Sequence, residues 1–178
     1  MTANGTRVRF DRTIPAPFLL DIGTCEKLVL NPNGGADTVT INDLSGTGFS
    51  DVILGIGDGA ADNIFANATG GADSMQVNGT AGSVSVTGLS ASITILGSEA
   101  AIDHLTINAF GGDDAVAASG LAAGVIGLTI DGGAGADVLV GSAGNNTLLG
   151  GPDDDVLIGG PGIDVMDGGP GNNILTED

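Results

Sequence analysis

The sequence predicts an all-β chain: a right-handed parallel β-solenoid (β-helix) of long coils that narrows at its C-terminal end to coils of eighteen residues. Three observations predict it. From Gly132 to Thr176 one nine-residue phrase recurs five times in register, as GGAGADVLV, GSAGNNTLL, GGPDDDVLI, GGPGIDVMD and GGPGNNILT. Upstream a longer phrase recurs three times, at Glu26 to Asn42 (EKLVLNPNGGADTVTIN), Asp62 to Asn78 (DNIFANATGGADSMQVN) and Asp103 to Ser119 (DHLTINAFGGDDAVAAS). No stretch shows an apolar 3.6-residue period of helical length, and the nearest, the Ala-rich run 115–124, has glycines in or beside it.

Residues 1–24 differ in character from the rest of the chain. Thr6 to Asp11 alternates like an edge strand, and Pro15 and Pro17 flank a turn into Phe18 to Ile22. A solenoid needs its open end covered, and a charged, proline-bearing segment with two Phe residues fits an N-terminal cap. Residues 25–131 form the long coils. Each upstream phrase reads acid, alternating strand, Asn, a turn containing Gly-Gly-x-Asp, then a second strand; its two acids lie 11 apart, and the copies start 36 and 41 residues apart. Period-2 alternation and turns of Gly, Asn and Asp make these strand phrases. Stacking equivalent phrases predicts a ladder of Asn31, Asn67 and Asn108. Spacing leaves open whether these coils have two sides or three. The turns ending at Asp37, Asp73 and Asp114 lack two residues of the full C-terminal turn, so their carboxylates are expected to be solvated. With few stacked carboxylates, this region is expected to fold in part independently of any metal.

Residues 132–176 complete the solenoid. Glycine at positions 1, 2 and 4 of each phrase admits backbone angles that a Cβ disfavours, so six residues turn tightly. The three residues after the turn are mostly apolar and β-prone, and alternation points position 8 inward. Two phrases close one coil, and stacked coils build a continuous core that no single phrase has. Stacking places Asp137 over Asp155 and Asp155 over Asn173 on one edge, and Asn146 over Asp164 on the other. Carboxylates stacked at strand spacing repel unless a cation lies between them. Calcium suits such turns, because it takes six to eight oxygens in a flexible shell and accepts backbone carbonyls. Zinc would call for His or Cys, which the stretch lacks.

These five phrases resemble the haemolysin-type, or RTX (repeats-in-toxin), calcium-binding nonapeptide family of bacterial secreted proteins. The resemblance is specific over 132–176 and only general over 25–131. It implies an RTX-type β-roll, with Ca2+ held by the position-6 Asp and by carbonyls at positions 1 and 3. Carried over, the fullest site combines Gly132, Ala134 and Asp137 with Gly150, Pro152 and Asp155; Asp164, Asn146 and Asn173 make up to two weaker ones. Asn146 and Asn173 depart from Asp, Ser142 from the second Gly, and Asp153 from the fourth. The resemblance also implies secretion, usually by a type I system that reads an uncleaved C-terminal segment. Only Glu177 and Asp178 come after the last phrase, so another signal is used or the chain is part of a larger surface or secreted protein.

Composition narrows the function further. Of 22 acids 19 are Asp, and from Leu28 onward there are 19 acids with no Lys or Arg. Such a charge excludes nucleic acid as a partner and opposes compaction unless cations are bound. Arg7, Arg9, Arg12 and Lys27 are confined to the first 27 residues. The chain has no run long enough for a membrane-spanning helix, and Met1 to Phe10 lacks the apolar core of a signal peptide. Cys25, alone, is expected to be a small buried hydrophobe. His104, the single histidine, is expected on the outer surface of a strand; no nucleophile elbow or His-Glu-x-x-His motif is present. The expectation is therefore a non-catalytic, calcium-binding extracellular module with a structural, adhesion or secretion role. The alternative is a carbohydrate-active β-helix, lyase- or epimerase-like, with a calcium roll appended.

Overall fold

Strand phrases that each bury alternate residues stack into two facing sheets. The structure, a computed structural model, describes residues 26–177 in full, and residues 2–4, 7–12 and 18–23 at the level of their backbone pairing. These last form a three-stranded antiparallel sheet of their own, β1 (Thr2–Asn4), β2 (Arg7–Arg12) and β3 (Phe18–Gly23). The expectation for Cys25 lies outside the described residues.

The solenoid has two sides. One face is a six-stranded, all-parallel sheet of β5 (Thr38–Ile41), β7 (Asn63–Asn67), β11 (His104–Asn108), β13 (Gly127–Asp131), β15 (Asn146–Leu149) and β17 (Val165–Asp167), stacked in that order. The other holds β4 (Lys27–Leu30), β6 (Asp51–Gly55), β8 (Ser74–Thr80), β9 (Ser83–Thr87), β10 (Ser92–Leu96), β12 (Ala115–Leu121), β14 (Val138–Val140), β16 (Val156–Ile158) and β18 (Ile174–Thr176). Its spatial order is β4-β6-β10-β9-β8-β12-β14-β16-β18.

Strand β9 runs antiparallel to both β8 and β10, so this face is parallel except for one inserted hairpin. The reversal is made by Ala81 and Gly82, with φ of 49° and 74°. Two residues of positive φ between paired strands match the right-handed strand twist, which is why such short hairpin loops are favoured. The alternating runs on either side of Ala81-Gly82 carried that signal in the sequence.

Inward residues form one core between the sheets. Ile64, Ile93, Leu105, Ile107, Ile130, Leu139, Leu148 and Leu157 are wholly buried. Position 8 of the nonapeptides is therefore interior for the first three phrases. Met166 is partly buried, and Leu175, on a strand with a neighbour on one side only, is 45% exposed.

Register corrects the expected Asn ladder. Thr38 pairs with Asn63 and Ile41 with Ala66, so the second strand of the first long phrase, not its first, lies beside β7. The ladder is Asn42, Asn67 and Asn108: Asn67 Nδ2 donates to Asn42 Oδ1 at 2.6 Å and Asn108 Nδ2 to Asn67 Oδ1 at 2.7 Å. Asn31 sits on the other sheet, against Gly55. The cause is β6, an extra strand between the first and second phrases, which shifts the first copy by half a coil. His104 keeps its outward direction but is half-buried, its Nε2 sharing a hydrogen bond of 2.8 Å with Thr129 Oγ1.

Replacing Leu148 by Ala should lower the unfolding free energy by about 2–5 kcal/mol, through lost burial and the cavity left behind. Leu175→Ala should lower it much less. Equal shifts in equilibrium denaturation with calcium present would contradict this assignment of the core.

Candidate metal centre

The edges of the solenoid, where chain passes from sheet to sheet, are built of stacked six-residue turns. In the turn 132–137 positions 2 and 4, Gly133 and Gly135, have φ of 96° and 129°. The turn 150–155 keeps this backbone although its fourth position is Asp153, which is held at φ 89°. Tertiary stacking thus imposes the turn on a residue that resists it. The turn 109–114 has the same two positive angles, at Phe110 (75°) and Gly112 (110°), although its sequence departs further from the phrase.

Each turn ends in an acidic or amide side chain that binds the turn before it. The N–H of Asp114 donates to Asp137 Oδ1 at 2.8 Å, that of Asp137 to Asp155 Oδ1 at 2.9 Å, and that of Asp155 to Asn173 Oδ1 at 2.8 Å. The column extends upward to Asp73, whose N–H donates to Asp114 Oδ1 at 2.6 Å. On the other edge Asn146 N–H donates to Asp164 Oδ1 at 2.7 Å. Position 5 forms a second, outer ladder in the reverse sense: the N–H groups of Ala136, Ile163 and Asn172 donate to Asp113, Asn145 and Asp154.

The remaining oxygen of each carboxylate decides the chemistry. Oδ2 of Asp114, Asp137, Asp155 and Asp164 is buried without a hydrogen-bond partner. Asp137 and Asp155 are each 1% exposed. An ionised oxygen in that state is costly to bury, so it needs a cation or a proton. Burial first, then the charges of Asp114, Asp155 and Asp113, push Asp137 up from 3.8 to about 6. Burial likewise raises Asp155, with Asp153 and Asp154 adding to it, and Asp114, with Asp73 and Asp113 adding to it.

The two Asn turns show what an intramolecular answer looks like. Asn173 Nδ2 donates to Gly169 O at 2.9 Å, within its own turn. Asn146 Nδ2 donates to Gly144 O and to Asp164 Oδ1, and its Oδ1 accepts from Ser142 Oγ at 2.7 Å. An amide N–H thus fills the position where the Asp turns present a bare oxygen. Asp turns lack that proton, and a hard cation bound by oxygen fits the donor set that is left.

The nine residues expected as ligands fall at different levels of the stack. Oδ2 of Asp137 lies over Gly132 and that of Asp155 over Gly150, so that a Cβ on either glycine would collide with it. The carbonyls separate into two levels: Ala134 O accepts from Gly112 N at 2.8 Å and so faces the turn 109–114, whereas Gly150 O and Pro152 O accept from Gly133 N and Gly135 N and face the turn 132–137. Asp164 is present with an unpartnered oxygen, while Asn146 and Asn173 are satisfied by the protein itself. Among the described residues no three His, Cys, Asp or Glu side chains converge, so any ion here rests on paired carboxylates and main-chain oxygens.

Two expectations for the long coils are corrected. The carboxylate of Asp114 is not solvated: the residue is 2% exposed, because the next coil covers it. Nor are stacked carboxylates few, since Asp37, Asp62 and Asp103 form a further column on the edge that carries Asn146 and Asp164 (Asp37 N–H to Asp62 Oδ1, 2.8 Å; Asp62 N–H to Asp103 Oδ1, 3.0 Å). The signal for Asp62 and Asp103 was their place directly before a strand phrase, where Asp137 stands before Val138.

The model of the RTX calcium-binding nonapeptide repeat matches residues 131–166 and 149–176, with four copies. Over this segment the chain is similar to the RTX calcium-binding nonapeptide repeat, and its stacked parallel strands fit the β-roll of such repeats. No curated protein and no solved structure matches the chain.

Gly132→Ala should weaken calcium binding by roughly 10- to 100-fold, as other losses of ligand support do, while a circular dichroism spectrum at saturating calcium stays unchanged. Undiminished affinity by calorimetry would remove Asp137 from the site. In chelator, the folded state binds more protons than the unfolded chain between 3.8 and about 6 at Asp137, so its contribution to stability falls as pH rises through that window. The melting temperature in chelator should therefore drop from about pH 4 to about pH 6, and less so in Asp137→Asn; equal pH profiles would contradict the assignment.

Proposed function

We propose that this protein is a non-catalytic extracellular module whose C-terminal roll is held in its folded form by Ca2+, and which serves a structural, adhesion or secretion role. One observation carries the reading: buried, unpartnered Oδ2 atoms on Asp137 and Asp155, inside turns that match the calcium-binding nonapeptide repeat. Asp137, Asp155 and Asp164 would hold the ions, with the carbonyls of Gly132, Ala134, Gly150 and Pro152 as neutral donors.

A bound calcium ion supplies the positive charge that the chain omits, since no Lys or Arg occurs after Lys27. Its binding free energy then adds to folding free energy, because stacked turns hold the ligands together only in the folded state. The same dependence suits a protein that stays open where calcium is scarce and closes where it is abundant, as outside the cell. The half-buried His104 supports a non-catalytic role: burial lowers its proton affinity, and the group bonded to its ring is the Thr129 hydroxyl rather than a carboxylate. Among the described residues no helix is long and apolar enough to cross a membrane. Other domains of a larger surface or secreted protein fit as neighbours.

Far-UV circular dichroism in chelator, then with calcium added from micromolar to about 10 mM, tests the reading. The β signal should grow with calcium and not with magnesium at equal concentration. A spectrum indifferent to calcium would overturn it and leave the buried carboxylates protonated instead.

A further inference from the structure

The long coils carry acids that the matched repeats do not include. Three turns stack on one edge: 32–37 between β4 and β5, 57–62 between β6 and β7, and 97–103 between β10 and β11. Five acids lie in them, Asp37, Asp58, Asp62, Glu99 and Asp103. Several of their oxygens hold backbone N–H groups of their own or a neighbouring turn. Asp58 Oδ2 accepts from Gly34 N at 2.6 Å and its Oδ1 from Ala60 N at 2.9 Å; Glu99 Oε2 accepts from Gly59 N at 2.9 Å.

Asp103 is fully satisfied by the protein, since Oδ1 accepts from Asp62 N and Oδ2 from Glu99 N at 2.8 Å. Asp62 and Asp37 are not. Asp62 is 1% exposed; its Oδ1 accepts from Asp37 N, while its Oδ2 is buried and has no partner. Asp37 Oδ2 is buried and unpartnered as well. The two residues thus stand in adjacent stacked turns, joined by one hydrogen bond, each with a bare oxygen inside the protein.

We propose that the turns 32–37 and 57–62 hold a calcium ion between Asp37 Oδ2 and Asp62 Oδ2, with main-chain oxygens of the two turns completing its shell. This site lies outside the nonapeptide repeats and does not depend on them for its ligands. On this edge the column of acids is interrupted between the long coils and the roll: the segment between β12 and β13 places buried Val125 and Ile126 there. The charge around the site is one-signed. Burial, then the charges of Asp58, Asp103 and Asp37, push the Asp62 carboxyl up. Oxygen-only donors in irregular turns favour calcium over magnesium, which demands a near-ideal octahedron.

Hydrogen exchange of the full chain, resolved by peptide and measured with and without calcium chloride, tests this site separately from the roll. Calcium should slow exchange in peptides covering 32–62 as well as in those covering 150–176. In Asp62→Asn the calcium-dependent difference should vanish from 32–62 and persist in 150–176, and calorimetry should count one calcium fewer. Asn keeps the Oδ1 acceptor for Asp37 N–H, as Asn173 does in the roll; if this variant does not fold, Asp37→Asn reads the same two losses. Calcium-dependent protection of 32–62 that survives the folded variant would overturn the proposal. So would its absence from the unaltered chain, which would assign a proton to Asp62. Protection of 32–62 without protection of 150–176 would uphold this site and refute the calcium reading of the roll.

Discussion

The link between the backbone N–H of one turn-ending residue and the Oδ1 of the next is the contact on which the rest of the solenoid depends. It repeats from Asp73 through Asp114, Asp137 and Asp155 to Asn173 on one edge, and from Asp37 through Asp62 to Asp103 on the other. Each link satisfies a main-chain donor that no sheet reaches, and fixes the height of one turn over the next. It also turns the carboxylates of Asp37, Asp62, Asp114, Asp137 and Asp155 inward, where the second oxygen is buried without a partner. The fold therefore creates the electrostatic imbalance that a cation resolves.

Asn and Asp at the same turn position are two answers to that problem. Asn146 and Asn173 close their turns with an amide proton donated to Gly144 O or Gly169 O, and need nothing from solution. Asp137, Asp155 and Asp164 instead carry a buried oxygen there that has no partner within the protein. Asn173 presents the same Oδ1 to the coil above as the Asp residues of its column do, whereas Asn146 turns its Oδ1 to Ser142 Oγ in its own turn.

The apolar core arises from the same stacking. No single coil buries its position-8 residue, and Leu139, Leu148 and Leu157 reach zero exposure because coils lie on both sides of each. Burial weakens at Met166 and more at Leu175, where neighbours are fewer. Edge and core are coupled: losing the turns separates the coils, and separated coils expose the leucines.

The sequence by itself determined the strands, the two-residue alternation that selects the inward face, and the eighteen-residue coil with its Asp137–Asp155–Asn173 column. Those features are local and periodic, so they survive translation along the chain. Tertiary structure alone decided the rest. It set the long coils as two-sided, and through β6 moved the Asn ladder from Asn31 to Asn42. It also turned Ser83–Thr87 antiparallel to both of its neighbours. That Asp62, Asp103 and Asp114 are covered was not legible, because an acid placed directly before a strand phrase reads the same whether water or another coil lies above it. Only the coil packed on top removes that water, and its covering residue is distant in the chain, 23 residues on for Asp114 under Asp137 and 41 for Asp62 under Asp103.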